Sequence, residues 1–219
     1  MRKTLFLIRV LFFALTCLSV STGFAQNSDS DHIVRLIYFL PNDRSPQSDI
    51  DERIDKLIRD TQQIFAGQME HYGFGRKTFQ FETDRRGNAI VHHVNGRFGN
   101  AHYLTESWKK VWGEIDEHFD RSTNIYLAFL DISAGDLDGF ACGYGGHHGT
   151  YGGAALIPAA GGCFEGIDVT VHELGHTFGL LHDYRNNLQP WIDLYCNEPM
   201  TTSRCAAEWL DAHRYFNNH

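Results

Sequence analysis

"VTVHELGHTFGLLHDYR" (residues 169–185) decides how this chain folds and what it does. His172 and His176 are four residues apart, so on a helix they stand one above the other on the same face. Two imidazoles at that spacing can share one zinc ion, and Glu173, beside the first, can reach a metal-bound water as general base. A straight helix would carry residue 182 away from such a metal. Gly179 resolves this, because glycine takes the positive-φ conformation that ends a helix and turns the chain. The turn brings His182 back as a third ligand. Three protein ligands leave a coordination position open, as a catalytic zinc requires. The pattern H-E-x-x-H-x-x-G-x-x-H thus reads as one mechanical unit: two ligands, a base, a bend and a ligand.

The pattern resembles the metzincin zinc-peptidase signature. Asp183 directly after the third histidine, and Gly175 just before the second, make it similar to the reprolysin (adamalysin) branch. The resemblance implies one catalytic Zn²⁺ on His172, His176 and His182, with Glu173 assisting the attack of zinc-bound water on a peptide bond. It implies a structural Asp183 hydrogen-bonding beneath the site. Met200, in "CNEPMTTSRC", is the candidate for the methionine turn that floors the ligands. Thr202 stands where the astacin-like and serralysin-like variants carry a tyrosine, so those branches are disfavoured. The resemblance also implies an upper subdomain over 32–182 and a lower one over 183–219. It makes the strand before the active-site helix (Gly153, Ala154, Ala155, Leu156 and Ile157) the sheet edge that binds an extended peptide as an added strand. The function implied is that of a secreted zinc endopeptidase acting on protein or peptide substrates. The alternative is a catalytically silent, zinc-bound binding module or adhesin of the same fold. Glu173 argues against that alternative, since a binding module needs no general base.

Upstream, the chain reads as alternating strands and helices. "HIVRLIYFLP" (32–41) is a β-branched and aromatic run closed by Pro41. Residues 48–72 place Ile50, Ile54, Leu57, Ile58, Phe65 and Met69 at helical spacing. "TFQFETD" and "AIVHHVNG" flank the turn "RRGN" and predict two strands. Residues 103–119 predict one amphipathic helix with Trp108 and Trp112 in its core stripe. "NIYLAFLDI" (124–132) predicts a central strand, and "AALIP" (154–158) a short one after a glycine-rich loop. A helix starting near 166–168 carries the motif, and "CAAEWLDAHRYF" (205–216) predicts a last helix. The fold class expected is α/β (α+β): a metzincin-like mixed, twisted sheet with packed helices, an active-site helix, a methionine turn and a C-terminal helix.

The N-terminus reads as a secretory signal peptide over 1–25: Arg2 and Lys3, an apolar run from Leu5 to Val20, then small residues ending at Ala25. A single catalytic domain over 26–219 remains, in the extracellular space or a periplasm. Six residues then precede the first strand, too few for a pro-domain, so latency is expected to come from elsewhere. Removing 1–25 takes away three cations and no acid, moving the formal net charge from −8 to −11. Such an acidic chain is a poor nucleic-acid binder. No second apolar run follows, so no stable membrane insertion is expected, and a monomer is. Cys142, Cys163, Cys196 and Cys205 remain after cleavage, and an oxidising compartment favours disulfides. The local pairs Cys142–Cys163 and Cys196–Cys205 are expected, with free thiols as the alternative; no C-x-x-C spacing points to a cysteine zinc site.

Three weaker signals stand apart. "DISAGDLDG" (131–139) has three acids that could hold Ca²⁺, though without the spacing of a known calcium loop. His147 and His148 in the glycine-rich loop could serve a second metal or line the cleft. His92 and His93 fall on opposite faces of one strand and cannot share a metal.

Overall fold

The computed structural model describes residues 32–181 and 202–217. The expected Asp183, Met200, His182 and Cys196, and the signal peptide over 1–25, lie outside them. Strand β1 (Ile33–Leu40) and helix α1 (Ile50–His71) form where the apolar patterns place them. Along α1 the predicted stripe is the buried face, and Asp51 and Glu52 in the first turn complement the helix dipole. Strand β4 (Ile125–Leu130) is buried at every position. It is the middle strand of a sheet in which β2 (Gln80–Phe81) and β3 (Val91–Asn95) pair with β1, followed in order by β4, β6 (Gly152–Pro158) and β5 (Tyr144–His148). All these pairings are parallel except β5 on β6.

Alternation along the strands feeds two cores. Leu36, Tyr38, Leu127, Phe129, Ala155 and Ile157 face α1, the helix α5 (Ile167–Thr177) and α6 (Arg204–Ala212). Ile37, Phe39, Ala128, Leu130 and Leu156 face Trp112, Val111 and Ile115 on the opposite side. The α/β sandwich expected from the sequence is present, with helices on both faces of the sheet.

Several expectations need correction. The helix predicted over 103–119 is two: α2 (Asn100–Tyr103) and α3 (Ser107–Ile115), separated where Glu106 takes a left-handed φ of 51°. Asp138 nucleates the second by accepting from the Ser107 backbone N–H at 3.0 Å and its hydroxyl at 3.2 Å. That use, with the 2.7 Å bond from Tyr144 Oη, commits Asp138 to protein donors. Asp131, fully buried, accepts from Tyr38 Oη, Arg44 Nε (2.7 Å) and Gln47 Nε2 (3.1 Å). Two of the three acids of the proposed calcium loop are therefore spent on protein donors: Asp138 on Ser107 of α3 and Tyr144 of β5, and Asp131 on holding the loop before α1 to the end of β4. No group of three or more metal-ligating side chains occurs among the described residues.

The substrate strand also moves. Gly153, Ala154, Ala155, Leu156 and Ile157 are buried in β6, paired with β4 on one side and β5 on the other. The sheet edge next to α5 is β5, built from the segment expected to be a glycine-rich loop. Cys142 and Cys163 form the expected disulfide, with Cα atoms 5.0 Å apart. Cys205 is exposed and free among the described residues, and its expected partner, Cys196, lies outside them. No helix among the described residues is long and apolar enough to cross a membrane.

Candidate metal centre

Helix α5 begins after Gly166, preceded by the short helix α4 (Gly162–Glu165). It ends as the motif requires. Gly179 has φ +86°, and the N–H groups of Gly179 and Leu180 donate to the carbonyls of His176 and Gly175, both at 3.1 Å. This is a Schellman turn. Two neighbours hold it. Phe178 is buried among Phe65, Phe79 and Phe216, with ring centroids 5.2–5.6 Å away. Trp209 of α6 donates its indole N–H to the Phe178 carbonyl at 2.7 Å, satisfying a helix-end acceptor.

On the face of α5, the Nε2 atoms of His172 and His176 are 3.0 Å apart. Two nitrogens bound to one tetrahedral zinc at about 2.0–2.1 Å are separated by ~3.3 Å, so this pair fits such an ion. His176 Nδ1 lies 2.7 Å from the Leu180 carbonyl. With Nδ1 donating there, Nε2 is the lone-pair nitrogen, the usual way a backbone acceptor orients a ligand histidine. Burial holds the His176 pKa below its ordinary value, which keeps the ring neutral and competent to ligate. Glu173 is 8% exposed, and desolvation pushes its carboxyl up to about 8. A divalent cation beside it acts in the opposite direction, stabilising the carboxylate.

The glycines of β5 explain how a carboxylate so close to the sheet is accommodated. A Cβ on Gly145 would run into the Glu173 carbonyl oxygen and lie 2.9 Å from its Cα and carbonyl carbon. Gly143, just upstream, is in the same relation to the Glu173 side chain. The helix and the edge strand touch backbone to backbone, an approach only glycine permits. Sequence reasoning missed this strand because it lacks β-branched residues. The signal available was glycine at alternate positions, 143 and 145, which places both on one face of a strand. It also missed the Leu180 carbonyl and the Trp209 cap, backbone contacts that side-chain identity does not announce.

His147 and His148 stand exposed on β5, and His147 helps line a cleft of about 290 Å³ with Tyr151, Thr177, Trp209 and His213. The cleft opens one turn beyond His176, and among the described residues that line it none is an acid, a lysine or an arginine. His92 and His93 point to different partners, Glu82 at 2.7 Å and Asp51 at 2.8 Å.

The fold is a mixed α/β sheet with packed helices, and it is shared with solved structures. Wild-type OgpA from Akkermansia muciniphila is similar in structure at a TM-score of 0.60 and 20% identity, over 85% of this chain and 62% of that one. Catalytically inactive OgpA, in complex with an O-glycopeptide (glycodrosocin) substrate, aligns at 0.58 and 18% identity, over 84% and 61%. The chain thus spans about three fifths of the length of OgpA. Archaemetzincin from Methanopyrus kandleri aligns at 0.37 and 13% identity, over 87% and 92%. No protein-family model matches the sequence, and neither does any curated protein.

Proposed function

We propose that the chain is a secreted zinc endopeptidase of the metzincin kind, with His172, His176 and His182 as ligands and Glu173 as general base. The observation that carries this reading is the 3.0 Å approach of the two Nε2 atoms on one helix face, beside the buried Glu173. When bound, zinc supplies Lewis acidity, lowering the pKa of water and polarising a carbonyl. Glu173 accepts the proton of the attacking water and returns it to the leaving amine nitrogen. The Leu180 carbonyl keeps His176 in its ligating tautomer. β5, the sheet edge among the described residues, offers backbone donors and acceptors to an extended substrate, the part the sequence assigns to Gly153–Ile157. Asp183 supports the site from beneath and Met200 floors it, in the manner of the reprolysin branch. The cleft at Trp209 accepts an uncharged substrate group. Because OgpA binds an O-glycopeptide, glycosylated peptides belong among the substrates to be tried.

The test is zinc stoichiometry of residues 26–219, together with cleavage of a mixed library of plain and O-glycosylated peptides mapped by mass spectrometry. Glu173→Ala and a chelated sample run beside it. One zinc per chain, with cleavage by the untreated wild type alone, is the expected result. A wild type that binds zinc and a partner protein but cleaves nothing, with Glu173→Ala binding equally well, would establish the silent binding module instead.

A further inference from the structure

Strand β5 is weakly held for a strand that walls a catalytic site. Among the described residues it is hydrogen-bonded on one side only, to β6, and it has glycine at 145 and 146. Glycine brings no side chain to pack and costs more backbone entropy to order than any other residue. Yet its entry must be placed closely. A Cβ on Gly143 would lie 2.8 Å from the Glu173 carboxyl carbon and 2.9 Å from Oε1, so the backbone at 143 is itself the wall over the carboxylate. The preceding residue, Cys142, is bridged to Cys163 in α4, the helix that runs through Gly166 into α5. The bridge therefore ties the wall over Glu173 to the segment that delivers Glu173. Cys142 is exposed to solvent and Cys163 is 8% exposed, so a thiol has access from the Cys142 side.

We infer that the Cys142–Cys163 disulfide is a positioning device for Glu173: it clamps the entry of β5 over the carboxylate, and a small-molecule thiol releases it. The clamp stands on geometry alone; its effect on turnover rests on the function proposed above. Release consumes two monothiols. The first, as thiolate, attacks one sulfur, forming a mixed disulfide and freeing the other cysteine. The second displaces the cysteine still held. Two electrons pass to the protein, the two reagent protons end on Cys142 and Cys163, and the reagent leaves as its own disulfide.

The experiment uses full-length mature protein carrying Cys196→Ser and Cys205→Ser, so that only this bridge responds. Hydrogen exchange is followed by mass spectrometry before reduction with glutathione, after it, and after re-oxidation, with bound zinc measured in each state. Reduction is expected to speed exchange of 144–148 at least tenfold and to leave β4 within twofold, with zinc retained. Cleavage should lose on the order of ten- to hundredfold in kcat, with KM within about threefold, and recover on re-oxidation. The Cys142→Ala/Cys163→Ala variant should show the same local exchange without reagent. Exchange of 144–148 unchanged within twofold after full reduction overturns the inference, as does a uniform rise across the chain, which would make the bridge a global staple. Faster local exchange in a protein that cleaves nothing when oxidised upholds the clamp and refutes the endopeptidase.

Discussion

Gly145→Ala isolates the contact between β5 and α5. Residue 145 has no positive φ, so alanine is conformationally acceptable and only the contact opposes it. The new Cβ would face the Glu173 carbonyl oxygen and lie 2.9 Å from two further backbone atoms of Glu173. Comfortable carbon contacts begin near 3.5 Å, so strand and helix must part by about 1 Å. The helix backbone is held by its own ladder and by Phe178 in the aromatic core, so the one-sided β5 gives way. Overpacking of this kind costs about 1–3 kcal/mol. In a domain this size that lowers Tm by about 3–10 °C. Displacing the wall over Glu173 by about 1 Å should cost on the order of a hundredfold in kcat/KM. Gly146→Ala is the matched control: a Cβ there meets nothing within 4 Å. Circular-dichroism melts and peptide hydrolysis on both variants decide the matter. If Gly145→Ala and Gly146→Ala melt within about 1 °C of each other, with cleavage rates within twofold, the backbone contact is not what orders this site.

Gly179→Ala should lose about 1–2 kcal/mol, from the left-handed φ of +86° and a Cβ 3.4 Å from the Trp209 indole; urea melts read it, and Gly179→Asn should lose less. Asp131→Ala leaves Arg44 and Gln47 without their buried acceptor and should cost about 3–5 kcal/mol by the same assay. His213 is pushed down to about 4 by burial first and by the nearby His32 second. The unfolded chain therefore takes up a proton at this residue below pH ~6.5 that the folded chain refuses until about pH 4. Stability is intact above pH 6.5 and falls as the pH drops through that window, by no more than ~3 kcal/mol. His213→Gln should flatten that part of the pH profile of unfolding free energy; an unchanged slope would remove His213 as its source.

Elements that bury side chains were legible in the sequence, and elements that work through backbone were not. β1, β4, β6, α1 and α5 declare themselves because their apolar residues recur with the period of the structure that buries them. The helical register of His172 and His176 and the bend at Gly179 were legible for the same reason: both are properties of local spacing and local φ. The break at Glu106 was not, because it depends on Asp138, more than thirty residues away, capping Ser107. β5 was not, because the requirement on it is the reverse of burial. An edge strand that must bring its backbone against Glu173 gives up the side chains that would have identified it, and "CGYGG" then looks like a loop. Reading that segment as a loop also misplaced the sheet edge, since without β5 the next strand, Gly153–Ile157, becomes the last one beside the helix. One physical demand, close approach to Glu173, thus accounts for Gly143 and Gly145, for the hidden strand and for the misassigned edge.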